Sequence, residues 1–297
     1  MWISFSIASA LLCGGYDVLK KLSLRDNAVL PVLYLASLSG TLVFVPFLII
    51  SEVDPGRLSL LYMPHMTLGQ HALTFVKSGI VGASWVLSYY AMRYLPITIV
   101  SPIRATSPLL TLLGAVTLLG ESLSALQWLG VAITVVAFWL FSKTGKMENI
   151  SFVRNRWMIS LYFGTFFAAV SGLYDKYMLA SLGIPKNTMQ AWFCIYMLVV
   201  LLPFLLFKWW PTRRENRFTF RWTIPLIGIC MAVADFLYFC ALAEPESLVA
   251  IVSTLRRCSM VVPFLVGVLF FRERNLWRKL LIICCMMVGV CIVMLGS

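Results

Sequence analysis

Apolar runs of roughly twenty residues recur along the whole chain, each closed by a short polar or basic interruption. A helix rises about 1.5 Å per residue, so a run of this length crosses the hydrocarbon core of a bilayer. The pattern predicts ten such helices, over about Trp2 to Lys20, Ala28 to Ile50, Leu73 to Tyr94, Ile97 to Leu119, Ala125 to Phe141, Trp157 to Ala180, Thr188 to Phe207, Trp222 to Ala243, Leu248 to Phe271 and Leu276 to Leu295. Two interruptions are longer: Ser51 to Ala72, with the turn sequence Asp54-Pro55-Gly56, and the polar stretch Lys143 to Arg156 near the midpoint. The second divides the chain into halves 1–145 and 146–297.

The halves repeat. Gly14-Gly15-Tyr16-Asp17 in the first run and Gly172-Leu173-Tyr174-Asp175 in the sixth both read G-x-Y-D. Ile99-Val100-Ser101-Pro102-Ile103-Arg104 in the fourth run answers Ile251-Val252-Ser253-Thr254-Leu255-Arg256 in the ninth, and the register holds from there to Glu121 and Glu273. Pro96 and Pro245 open the same two runs, where a missing N–H costs nothing. An odd number of spans per half turns such a duplication upside down in the membrane, as in inverted-repeat transporters.

Composition agrees with lipid as the solvent. Of 297 residues 61% are hydrophobic and 12% charged, too few charges to build the surface of a soluble domain. The net charge of +12 raises a nucleic-acid partner, but the bases lie between the apolar runs, which excludes that reading. Seventeen of them flank the odd-numbered loops, against Arg57 and Lys186 on the other side, so the positive-inside rule puts the odd loops in the cytoplasm and both termini outside. The eight cysteines fall inside apolar runs without metal spacing and read as small hydrophobes. His65 and His71 read as residues of the second loop, and no metal or cofactor is expected. The first run lacks a basic leader and a cleavage pattern and reads as a retained helix.

These features resemble the EamA-type proteins of the drug/metabolite transporter superfamily. The resemblance is carried by Pro96, Ala105 to Pro108, Gly114, Gly120-Glu121, Gln127 and Gly130 in the first half, and by Pro245, Pro263, Gly267 and Glu273 in the second. It implies an all-α integral membrane fold of ten transmembrane helices, arranged as two inverted five-helix repeats around a central cavity. The cavity would be lined by helices one, three, four, six, eight and nine, with alternating access by rocking of the halves. It also implies cytoplasmic termini, opposite to the charge count.

Charges within spans normally face a cavity or a partner. Asp17 and Asp175 occupy equivalent places, as do Arg104 and Arg256, with Arg257 beside the latter. Read functionally, the arginines hold a substrate carboxylate or phosphate and the acids hold an amine or a proton. Read structurally, Asp17 pairs with Lys20 or Lys21 and Asp175 with an arginine. Asp235, mid-helix without a base within one turn, is the candidate for proton coupling. Tyr16, Trp85, Tyr89, Tyr174 and Tyr238 are candidate cavity walls, with Tyr90 and Phe239 beside them. Ser78-x-x-x-Gly82 and Gly79-x-x-x-Ala83 read as helix-packing motifs, and Trp157, Trp209, Trp210 and Trp277 as an interfacial belt.

The resulting expectation is a secondary transporter, not an enzyme, of the inner (plasma) membrane. It would export or exchange a small carboxylate-bearing or zwitterionic solute such as an amino acid, acting as a monomer among membrane lipids. A phosphorylated sugar, a nucleotide or a lipid-linked cargo is the alternative. An intramembrane enzyme lacks HExxH, GxSxG or a nucleotide loop to support it.

Overall fold

Thr67 starts the third helix earlier than its apolar run suggests. Its hydroxyl accepts from Gln70 N–H while the Gln70 side chain accepts from Thr67 N–H, a reciprocal cap that satisfies two orphan donors. The helix therefore runs from Leu68 and takes in His71, which is a helix residue instead of a loop residue. Ser124 and Gln127 form the same arrangement ahead of the fifth span.

The computed structural model describes residues 2–54, 62–104, 106–107, 110, 114, 116–117, 124–146, 155–178, 182–243, 256, 259, 261–269 and 276–295. Its helices are α1 Trp2–Leu24, α2 Val29–Val53, α3 Leu68–Tyr94, α4 Ile97–Arg104, α5 Ala125–Lys146, α6 Arg156–Lys176, α7 Lys186–Pro203, α8 Thr223–Ala243, α9 Val261–Leu269 and α10 Leu276–Leu295. Pro55, Gly56 and most of the polar linker at the midpoint lie outside the described residues. Four stretches, Ile3–Leu24, Val29–Val53, Arg156–Asp175 and Lys186–Thr212, are by length and composition able to cross a bilayer alone. After Pro203, which cannot donate to the preceding turn, α7 widens into a π-wound stretch Phe204–Trp209.

The helices pack in a set of pairs: α1 with α8, α3 with α6, α2 with α8, α3 with α7, α2 with α7, and α5 with α10. Exchanging one with six, two with seven, three with eight and five with ten turns this set into itself. That is the signature of two equivalent repeats, inverted because each half has five helices, and every one of these pairs joins one half to the other.

Small residues and hydroxyls make these pairs close, because lipid offers no hydrophobic drive between helices. Ser9 Oγ donates to Ala234 O at 2.7 Å, Ser84 Oγ to Gly164 O at 2.6 Å and Ser160 Oγ to Leu87 O at 3.0 Å. At Gly228 the backbone of α8 lies against Ala36 O and Gly40 N of α2, leaving no room for a Cβ. Of the two packing motifs, Ser78 and Gly82 sit against α7, whereas Gly79 has nothing within 4 Å of where its Cβ would be.

The turn ends sort onto two faces. Asn27 exchanges hydrogen bonds with the Thr219 backbone, Arg221 donates to Leu22 O, Arg93 to Asn216 and Lys21 Nζ to Leu95 O. The segments 25–28, 95–96 and 213–222 thus gather on one basic face. On the opposite face Met66, Leu73 and Tyr174 pack on Met178, Ile184 and Met189.

Candidate functional site

Between the halves lies a cavity of about 240 Å³. Its walls come from α1 (Tyr16), α2 (Ser37, Gly40, Phe44), α3 (Lys77, Val81, Trp85, Tyr89), α6 (Ser171, Asp175), α7 (Gln190, Phe193, Cys194, Met197) and α8 (Ile227, Gly228, Met231, Asp235). Helices two and seven replace the expected four and nine among the described lining residues. The close α2–α8 and α3–α7 contacts bring them there, while Arg104 reaches Asp17 behind the wall and Arg256 reaches Asp235 within it.

Four ion pairs on three carboxylates organise the buried charge. Arg104 Nη1 meets Asp17 Oδ1 at 2.8 Å, and Lys20 Nζ meets the same oxygen at 3.3 Å. Lys20 is buried to 2% exposure, its ammonium 3.5 Å from the centre of the Tyr16 ring. Arg256 bonds Asp235 and lies 4.5 Å over the Tyr238 ring. Lys77 Nζ meets Asp175 Oδ1 at 2.7 Å and faces the Phe193 ring at 4.9 Å. A bare buried charge costs several kcal/mol, about 3–5 when one partner of such a pair is removed, so these contacts fix which helices stay together.

The candidates therefore divide. Tyr16, Trp85, Tyr89, Asp175 and Asp235 line the cavity. Arg104 and Arg256 are each engaged by a carboxylate of their own half, and Tyr238 lies beneath Arg256. Asp17 takes Lys20 and Arg104 together, whereas Lys21 turns to the carbonyls of Met92 and Leu95. Asp175 pairs with a lysine, not an arginine. Tyr174 donates to Leu73 O at 3.3 Å on the opposite face. Tyr90 stacks on Trp157, which Tyr94 also stacks on at 4.0 Å. Asp235, locally remote from any base, meets one supplied 21 residues later. Arg257 and the side chain of Phe239 lie outside the described residues.

Lys77 is the wall residue missed in the sequence. It stands as a lone base within an apolar span, nineteen residues before Pro96, and the place nineteen before Pro245 is Leu226, so the repeat comparison passes over it. The same comparison explains the pairing. Lys20, three residues after Asp17, is matched by Met178 three after Asp175. Asp235, ten before Pro245, is matched by Val86 ten before Pro96. The first half thus has two bases for Asp17, and the second has two acids for Arg256. Lys77 of the first half balances the surplus acid of the second.

Among the described residues no cluster of three His, Cys, Asp or Glu side chains stands at metal-binding spacing. A model of the EamA-like transporter family matches residues 1–143 and again 155–295. A crystal structure of a protein 17% identical in sequence superposes with a TM-score of 0.59, covering 97% of this chain and 94% of that one. That likeness concerns the fold alone. No curated protein matches the chain.

Proposed function

We propose a substrate class from one premise: the chain belongs to the EamA-like transporter family, and so is a multi-pass membrane transporter of small solutes. The proposed cargo is a small zwitterion of the amino-acid class, exported or exchanged across the inner (plasma) membrane by alternating access of the two halves.

The observation that carries this reading is the Lys77–Asp175 pair in the cavity wall, with Asp235 in the same wall. A solute bearing a carboxylate and an ammonium offers each member of the pair its opposite charge. The pair then opens without leaving a bare charge in a low dielectric, which a neutral solute cannot achieve. Trp85, Tyr89 and Phe193 supply a flat apolar wall for the side chain. The volume suits a metabolite and lies below the drug-sized range of roughly 300–1,000 Å³. Arg104 and Arg256 act here as positioning residues for Asp17 and Asp235, and Asp235 is the proton-coupling candidate. Unchanged pH dependence of flux in Asp235→Asn removes that last role.

The test is flux of labelled amino acids into proteoliposomes, with competition by their decarboxylated amines and their deaminated acids. Saturable flux inhibited by the zwitterion and by neither analogue supports the assignment. Equal inhibition by an amine or an acid ends it.

One observation favours a second reading. Lys20 and Arg104 share the single carboxylate of Asp17 beside Tyr16, an excess positive charge that suits a phosphate ester. Competition by sugar phosphates or nucleotides, with no effect of amino acids, selects it.

A further inference from the structure

The repeat assigns Asp175 the place of Asp17 and Arg256 the place of Arg104, yet the two halves stand in different states. In the first half the G-x-Y-D acid and the helix-four arginine are joined at 2.8 Å. In the second half the equivalent two residues are apart: Arg256 holds Asp235, and Asp175 reaches across to Lys77. Asp175 lines the same cavity as Asp235, the residue that holds Arg256.

We propose that Asp175 exchanges partners during transport, passing from Lys77 of the first half to Arg256 of its own half. Inverted repeats reach their two access states by trading conformations, so the second half comes to adopt the joined arrangement now seen in the first. The Lys77–Asp175 contact joins the halves near the opposite face, since Asp175 ends α6 there and Lys77 points back toward the start of α3. Its release opens that face.

The extra charges outside the repeat then have a role. Each is a holding partner for a group whose repeat partner has left. Asp235 holds Arg256 and Lys77 holds Asp175 in the state described here. Lys20, already on Asp17, retains it when the first half opens in turn. In the state described here each of these buried charges has a partner. The cation that the exchange uncovers is Lys77, and it becomes the residue that meets the anionic group of the solute. This last step deepens the zwitterion reading and rests on it; the exchange itself does not.

The test reads access without any substrate. In the full chain with the other seven cysteines changed to alanine, Cys194 of the cavity wall reports labelling by a membrane-impermeant thiol reagent added to one face at a time. Lys77→Met is expected to raise labelling from the face bearing residues 62–67 by about tenfold, and Arg256→Gln to lower it. The swapped chain Lys77→Asp/Asp175→Lys rebuilds the contact across the halves, but a lysine at 175 cannot pass to Arg256. Labelling of that chain from the 62–67 face is expected to stay about tenfold below the unsubstituted background. A fixed structural pair predicts background-like labelling instead. Background-like labelling in the swapped chain, or shifts of the same sign in the two single variants, overturns the exchange. Absence of amino-acid flux in the unsubstituted chain, with these labelling shifts intact, overturns only the substrate class.

Discussion

Lys77 and Asp175 meet at 2.7 Å with very different surroundings: the lysine side chain is 6% exposed and the aspartate 34%. The carboxylate borders the cavity, where water can solvate it, and the ammonium is enclosed by protein. Removing the acid therefore strands the more deeply buried charge. Asp175→Asn is expected to lower the melting temperature of the detergent-purified protein more than Lys77→Met does. Equal losses in the two would mean that the cavity leaves Asp175 as dry as its partner.

Asp17 is shared by two bases, so its loss and the loss of one base have unequal costs. Asp17→Asn leaves Lys20 and Arg104 close together without a counter-charge, and about 3–5 kcal/mol of stability is expected to go. Arg104→Gln leaves the Asp17–Lys20 contact at 3.3 Å in place and should cost clearly less. In Asp17→Asn/Lys20→Met one stranded cation is removed, and part of the loss should return. Denaturation of the three variants in one detergent ranks them, and a double variant no more stable than Asp17→Asn contradicts the shared-counterion account.

Gly228 lets α8 touch α2 backbone to backbone, beside the cavity wall it helps to form. A methyl group there meets Ala36 O and Gly40, and neither is the flexible end of a side chain, so the helices must separate. Gly228→Ala is expected to cost roughly 1–3 kcal/mol, the usual range for overpacking. Gly79→Ala, with open space around it, should leave the melting temperature unchanged or raise it slightly through helix propensity.

Hydropathy period and the two repeated motifs were enough to read the membrane class, the ten-helix order and the inverted arrangement, because each span declares itself locally. Helix ends were less legible. The cap at Thr67 lies in a polar stretch that the apolar count discards, and Lys20 and Lys21 look like a span boundary although α1 continues to Leu24 and buries Lys20. The site was half legible. Repetition singles out Asp17, Arg104, Asp175 and Arg256, but it hides Lys77 and Lys20, whose counterparts Leu226 and Met178 are apolar. Which acid meets which base is decided by helix contacts far apart in sequence, such as α3 with α6, and no local pattern encodes them.

Trp85 sets its ring edge-on to Phe193 at 6.1 Å, and both line the cavity between the polar ends of the wall. Flat rigid rings select apolar side chains by contact area, worth about 1–3 kcal/mol for a methylene-sized difference and more for a ring. If the cargo is an amino acid, Trp85→Ala should lower kcat/KM for aromatic and branched substrates by tenfold or more, about 1.4 kcal/mol at the least. Uptake of glycine or alanine should change little, because their charged ends stay on Lys77 and Asp175. Competition curves for a series of amino acids of increasing side chain, measured in proteoliposomes with the parent and the variant side by side, give the ratio directly. A uniform fall across the series would place Trp85 in the scaffold of α3 instead of the recognition wall, and an unchanged series would remove it from the path of the solute.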